Sequence, residues 1–480
     1  MLYYLYAFLL SFLVGLPLGA QNINSYFEKI RNQEAFLTAF FSQMPKGGDL
    51  HHHFSGSIYA ETYLAYAVEK DYSINLVTLE ITPEKKSNDD WLPFSSLKTQ
   101  GLLETYRQKL IQKWSIKDYN GINIPSDKLF FETFIHFSPV SKKCWAQGLL
   151  ELKNRAIAEN VSYIETMLST VPCTPAPDFL GNYNNHLRLL QQKQDSAALF
   201  RLLDSLLPAL QPQNLAQCAA QYTQQNQRLH DSLQLDDKQF IIRYQTYVLR
   251  HAEPLLLFRN LWIAFEAAAQ SPLIVGVNIV GAEDHTIALQ DYWLHMAMFR
   301  YCHKKFPAVK YALHAGELTL GLVKPEDLTW HIKAALEIAG ANRIGHGVDI
   351  AYETDPYEIL QNMRAKKIPI EINLSSNEFI LKVKEDKHPL ELYQKAKVPI
   401  LICTDDAGVL RSNLTQQFVL LAKRYKNITY NQIKSFVFNS LEYAFLEEPE
   451  LKQKLLVDLK NRFTAFEKKY LKKYLSQNKK

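Results

Sequence analysis

Residues 46–57 read KGGDLHHHFSGS, setting three of the chain's 14 histidines side by side at the end of a short apolar run. In an extended strand residues two apart share a face, so His51 and His53 can both address one mouth while His52 points the other way. Two neutral imidazoles at that spacing can share a divalent metal, although H-x-H packed as core histidines would read the same. Three further stretches carry matching chemistry. LHAGE ends an apolar run with His314 and places Glu317 three residues on. Its small Ala-Gly pair lets the backbone turn, so that the imidazole can ligate while the carboxyl reaches a substrate above it. A strand-end histidine followed by an N-capping glutamate is the structural alternative. RIGHG holds His346 between two glycines, and LICTDDAG ends an apolar run with adjacent Asp405 and Asp406. A helix N-cap needs only one of those carboxylates.

Taken together, His51, His53, His314 and Asp405 form a three-nitrogen, one-oxygen donor set suited to one Zn2+ per chain, with room for a water. Such an ion lowers the pKa of its water to about 7. His346 and Glu317 are then free for proton transfer.

These residues need a frame that brings distant segments to one place. Short apolar runs recur along the chain: GGDLHHHF, VSYIETM from Val161, QFIIRYQTY from Gln239, LIVGVNIVG from Leu273, VKYALHAGE from Val309, NRIGHG from Asn342, IPIEINLS from Ile368 and VPILICTDD from Val398. Longer helical stretches separate them. Near-continuous apolar strands alternating with helices predict parallel strands buried on both faces, and eight of them predict an α/β fold of the (β/α)8 TIM-barrel type. The ionisable residues fall at the C-terminal strand ends, where that fold places its chemistry. Residues 46–445 are read as the barrel, with an inserted lobe at 70–128 and a helical insertion at 168–238 that forms a hairpin on the flank. Residues 21–45 read as an N-terminal helical extension. Residues 446–480 read as a docked C-terminal helix with Phe463, Phe466, Tyr470 and Tyr474 on one face and lysines on the other.

The first 20 residues, MLYYLYAFLLSFLVGLPLGA, carry no charged side chain and end in small residues. They predict a signal peptide cut after Ala20 and hence a secreted or periplasmic protein without stable membrane association; an uncleaved membrane anchor is the alternative. Five cysteines are too few for a disulfide framework. Cys173 and Cys218 flank the helical insertion, where they can pair in an exported protein or stay as reduced thiols. A net charge of +5 over 480 residues contains no dense basic stripe, which argues against nucleic acid as a partner.

HAGE, GHG and TDD, in this order on these strands, closely resemble the adenosine deaminase family of zinc-dependent (β/α)8 amidohydrolases. MPKGGDLHHHFSGSIYAE, with the export signal, leading helix and inserted lobe, is most similar to its secreted branch, the adenosine deaminase-related growth factors. The resemblance covers roughly Met44 to Ser440, less the two insertions. It implies that His51, His53, His314 and Asp405 bind zinc, that Glu317 protonates purine N1 during attack at C6, and that His346 orients the nucleophile. It further implies that Asp406 hydrogen-bonds N7 and that the Gly281 backbone N–H contacts N3, although a plain turn glycine would look alike. Phe130 and Phe134 match aromatic residues of the family's substrate pocket, or equally serve the core.

The physical chemistry agrees with the resemblance. Adjacent carboxylates beside a metal titrate apart, leaving Asp405 ionised as a ligand and Asp406 able to donate a proton. The other zinc deaminase signature, H-x-E with P-C-x-x-C, is absent. One departure touches substrate choice: where many family members carry an aspartate for the ribose 5'-hydroxyl, this chain has Ser55, a weaker partner. The expected activity is zinc-dependent hydrolytic deamination of adenosine, and of 2'-deoxyadenosine, to inosine and ammonia. A related aminopurine such as a 5'-modified adenosine or AMP is the alternative substrate, and an extracellular binding or growth-factor-like protein the alternative class. Arg243 and Arg250 are read as structural, so no basic cluster for a phosphate stands out. Homodimerisation through the leading helix and lobe is implied by the secreted branch alone.

Overall fold

The computed structural model describes residues 18–174, 181–210 and 214–477. Residues 1–17 of the expected signal peptide lie outside them, and the first described helix runs Leu18–Ile30.

All eight apolar runs form strands: β1 (Gly47–His53), β2 (Val161–Ser169), β3 (Ile241–Leu249), β4 (Ile274–Val280), β5 (Ala312–Ala315), β6 (Arg343–His346), β7 (Ile370–Ile372) and β8 (Ile400–Ile402). Every pairing is parallel, in the orders β1-β2-β3-β4 and β8-β7-β6-β5. Two parallel bridges, His52 to Asp405 and Val277 to Tyr311, join these halves into a closed ring. The chain therefore adopts the expected TIM-barrel architecture. β5 to β8 are only three or four residues long, and β5 and β6 carry His314 and His346 at or near their C-terminal ends.

Three charged side chains interrupt the apolar strands and meet inside the barrel. Arg343 donates to Glu371 at 2.6 Å and to Glu165 at 2.7 Å, and its guanidinium lies 3.6 Å from the centre of the Phe445 ring. Each charge is paired where it is buried, as desolvation demands. Arg343 also ties β6 to β7 and β2, which fixes the strands beneath the mouth.

The first insertion holds a small antiparallel sheet, with Ser73–Asn75 between Ile81–Thr82 and Trp91–Pro93, followed by the helices Phe94–Thr99 and Leu103–Lys113. The helix Ser126–Ser141 follows. In the second insertion the expected hairpin is present as Gly181–Gln192 and Ser196–Leu210. A third helix, Leu215–Ser232, goes beyond that expectation and packs along Pro254–Gln270 after β3. Pro212 lies between the second and third helices in sequence, and a proline disfavours helix at the residue before it. β2 extends to Ser169, so the expected boundary at 168 falls inside a strand. Of the two readings open for Cys173 and Cys218, the structure takes the disulfide; Cys144, Cys302 and Cys403 are free and buried.

The extension and the C-terminal helix Pro449–Gln477 pack on each other. Phe40 sits edge-on to Phe466 and Tyr470 at 5.0 and 4.9 Å, and Phe463, Phe466 and Tyr470 are buried. The Tyr474 side chain lies outside those described. Among the described residues no helix is long and apolar enough to cross a membrane.

Candidate active site

The strand period does what the spacing predicts. His51 is fully buried and points into the barrel, while His52 turns away and bonds Thr166 Oγ1 through Nδ1 at 2.9 Å. His53 Nε2 lies 3.1 Å from His314 Nε2 and 3.2 Å from Asp405 Oδ1, and His51 Nε2 lies 3.6 Å from the same oxygen. Asp405 reaches this point from a left-handed backbone (φ 62°) held by two backbone bonds to β1: its N–H donates to the His51 carbonyl, and its carbonyl accepts from the His53 N–H. Four donors from three strand ends thus converge.

Donor spacing tests whether they suit a metal. A tetrahedral ion with arms of about 2.1 Å separates its ligands by about 3.4 Å. The distances of 3.1, 3.2 and 3.6 Å bracket that value. His51 Nε2 is moreover buried without a hydrogen-bond partner, a state that costs free energy unless something binds there. These four residues fit a divalent cation.

The other nitrogen of each inner imidazole is held. His51 Nδ1 meets Glu371 Oε2 at 2.7 Å and His314 Nδ1 meets Asn278 Oδ1 at 2.9 Å, so both Nε2 atoms face the centre. His346 stands at the edge, its Nδ1 contacted by Asn377 and Asn373 at 3.0 and 3.4 Å and its Nε2 3.9 Å from Asp405 Oδ2. Glu317 Oε1 lies 3.5 Å from His346 Nδ1.

Burial sets the protonation states. It brings the His53 pKa to about 4 and His346 to about 3, and it holds His314 far below its usual value, leaving these rings neutral. His51 differs: burial opposes its charge, but the Glu371 carboxylate raises its pKa above the ordinary value, so a ligand role for Nε2 requires loss of that proton. Burial resists the Asp405 charge too, yet His51, His53 and His346 hold its pKa far below the usual carboxylate range. Burial lifts Glu317 and Asp406 well above that range, with the Asp405 charge adding to both. The site therefore favours ionisation of Asp405 and opposes it at Glu317 and Asp406.

Above these groups opens a cavity of about 520 Å3. His53, His314, Glu317, His346, Asp405 and Asp406 line it, and so do Ser55 and Gly281. His51 is fully buried and does not line it. Phe130 and Phe134 line it and also pack in or against the hydrophobic core, so both readings left open by the sequence apply, and Phe131 and Ile135 from the same helix extend this apolar side. Gly281 has φ 101°, and a Cβ there would fall 2.1 Å from His251 Nε2, so the close approach of that ring needs glycine.

The adenosine deaminase family model matches residues 209–461, just over half of the chain. The chain belongs to the adenosine deaminase family. It is 26% identical over 295 residues to the adenosine deaminase of Clostridium kluyveri, covering 58% of this chain and 78% of that one. It is 32% identical over 148 residues to that of Clostridium perfringens, covering 31% of this chain and only 41% of the relative's length. Among solved structures, the N6-methyl-AMP deaminase of Arabidopsis thaliana shares the fold at a TM-score of 0.54 and 18% identity, over 88% of this chain and 98% of that one. An amidohydrolase from Burkholderia ambifaria, solved with bound zinc, does so at 0.53 and 14%, over 90% and 94%.

Within this member of the adenosine deaminase family, sequence reasoning missed the residues that hold the site residues. Asn278 and Glu371 each interrupt an apolar strand, a visible signal. Asn373, Asn377, His251 and Glu283 carry no such mark, because helix starts and loops are polar in any case. Arg250, expected to be structural, does bond backbone, but the backbone is that of His314, at 2.7 Å.

Proposed function

We propose that this protein is a metal-dependent deaminase of a neutral adenine nucleoside, with adenosine and 2'-deoxyadenosine as substrates and zinc on His51, His53, His314 and Asp405. The observation that carries the reading is the convergence of those four residues, with donor spacings of 3.1, 3.2 and 3.6 Å, at a cavity that Glu317 and Asp406 also line. A divalent metal bound there supplies Lewis-acid activation of water at neutral pH. The remaining work falls to the chain. Glu317 donates its proton to purine N1, drawing electron density from C6. Asp406, kept protonated, donates to N7, and the Gly281 N–H donates to N3, so three ring nitrogens fix the base. His346, steadied by Asn377 and Asn373, faces the attacking water and balances charge as it develops. The phenylalanine wall covers the ring and excludes bulk water.

Nucleoside is favoured over nucleotide because no lysine or arginine is found among the described residues lining the cavity. Lysine and arginine are the usual partners of a phosphate. Ser55 lines the same cavity, a neutral hydroxyl suited to a sugar hydroxyl. The Cys173–Cys218 disulfide supports export, since such bonds persist in oxidising compartments. The test is a comparison of kcat/KM for adenosine, 2'-deoxyadenosine, 5'-methylthioadenosine, AMP and N6-methyl-AMP. The reading expects the first two to lead and the nucleotides to be poor; a nucleotide as the best substrate would overturn it.

A further inference from the structure

One buried carboxylate next to the candidate site has no part in the chemistry above. Glu283 lies two residues beyond Gly281, in the loop after β4, and is 2% exposed. Its Oε1 accepts from the Gly316 N–H at 3.1 Å and its Oε2 from the Glu317 N–H at 2.9 Å. His331 Nδ1 approaches Oε1 at 2.6 Å, and Arg250 pairs with Oε2 at 3.4 Å while donating to the His314 carbonyl at 2.7 Å. Tyr292 stacks flat on His331, ring centres 3.7 Å apart, and closes the far side. Burial alone would push the Glu283 pKa up, but Arg250, His331 and the amides hold it at about 2, so both oxygens remain acceptors.

One side chain thereby grips consecutive amides of the loop that bears Glu317, from a loop that bears Gly281. These two loops supply the donors to N1 and N3, which lie on one edge of the purine ring. We propose that Glu283 is a positioning residue that fixes the distance between the Gly281 N–H and the Glu317 carboxyl and so aligns the acid with N1. The inference rests on the reading of Glu317 as the proton donor. It accounts for a charged side chain kept in the interior at a desolvation cost. A glutamine could not replace it, because one end of an amide is a donor and would face an N–H.

The test pairs Glu283→Gln with Glu317→Gln, singly and together, on metal-loaded protein with adenosine. Glu283→Gln is expected to lower kcat about 10²-fold, the usual cost of misplacing a reacting group by about 1 Å, with KM, metal content and inosine binding little changed. In the Glu317→Gln background the same change is expected to cost almost nothing, because the group it positions is gone. Equal losses in both backgrounds, or wild-type kcat in Glu283→Gln, would overturn the proposal. Amide hydrogen exchange of the wild type serves if the variant fails to fold: the clamp requires the Gly316 and Glu317 amides to exchange as slowly as those of β3, and loop-like rates contradict it. That measurement also separates the two readings. Protected amides in a wild-type protein that turns over no aminopurine would overturn the function while supporting the clamp.

Discussion

His51 Nδ1 lies 2.7 Å from Glu371 Oε2 with both side chains fully buried, and that bond leaves Nε2 facing the candidate metal position with no other partner. Glu371 thus sets which nitrogen is free, from a strand next to neither β1 nor β5. Glu371→Gln is expected to weaken metal binding about 10- to 100-fold, as loss of such outer partners does. Arg343 keeps a carboxylate partner in Glu165 at 2.7 Å, so the barrel has a route to stay folded. Competition with a chromophoric chelator measures the affinity; an unchanged value would mean that the ring is oriented by packing alone.

Gly56 gives a second handle that touches no ligand. A Cβ built on it would fall 1.7 Å from Asp406 Oδ1, so Asp406 holds its place only because position 56 has no side chain. Gly56→Ala should displace the N7 donor and lower kcat/KM about 10²-fold while metal content stays the same. Elemental analysis beside steady-state kinetics checks both halves. Full activity in Gly56→Ala would remove Asp406 from the mechanism.

Stability should depend on pH through Lys46. Burial lowers its pKa to about 7 despite the nearby Glu159 charge, and its ammonium bonds the Met44 and Glu159 carbonyls at 3.1 and 2.6 Å. Below pH 7 both folded and unfolded chains carry the proton, and the folded state bears the desolvation cost. Between about pH 7 and the ordinary value of 10.5 only the unfolded chain holds it, so the Lys46 contribution to stability rises with pH there and levels off above. The slope approaches about 1.4 kcal/mol per pH unit. Urea unfolding of wild type and Lys46→Met across that range should differ by this slope; parallel curves would show that Lys46 is solvated.

The barrel was legible because each strand is a run of apolar residues bounded by polar ones, and the donors because histidines and aspartates at strand ends are conspicuous. His51 and His53 face inward and His52 outward, as period two requires. What stayed hidden was pairing across distance. Nothing near Glu283 in the sequence names Gly316 and Glu317 as its partners, and Asn377 looks like any polar helix residue until the fold lays it on His346. The third helix of the second insertion stays hidden for a related reason: its buried face, at regular helical spacing, is made of Cys218, Ala219, Tyr222, Asn226 and His230 rather than large aliphatic residues, so it reads as polar until it packs on Pro254–Gln270.

The central claim is that the four converged donors hold a metal that the deamination needs. It is tested most directly by the loss of ultraviolet absorbance when purified protein meets adenosine, before and after removal of metal with a chelator, and again after zinc is restored. The account predicts turnover that vanishes on chelation, returns with about one zinc per chain and does not return in His53→Ala. Turnover that survives with no metal bound, or full zinc occupancy with no turnover of adenosine, would contradict it.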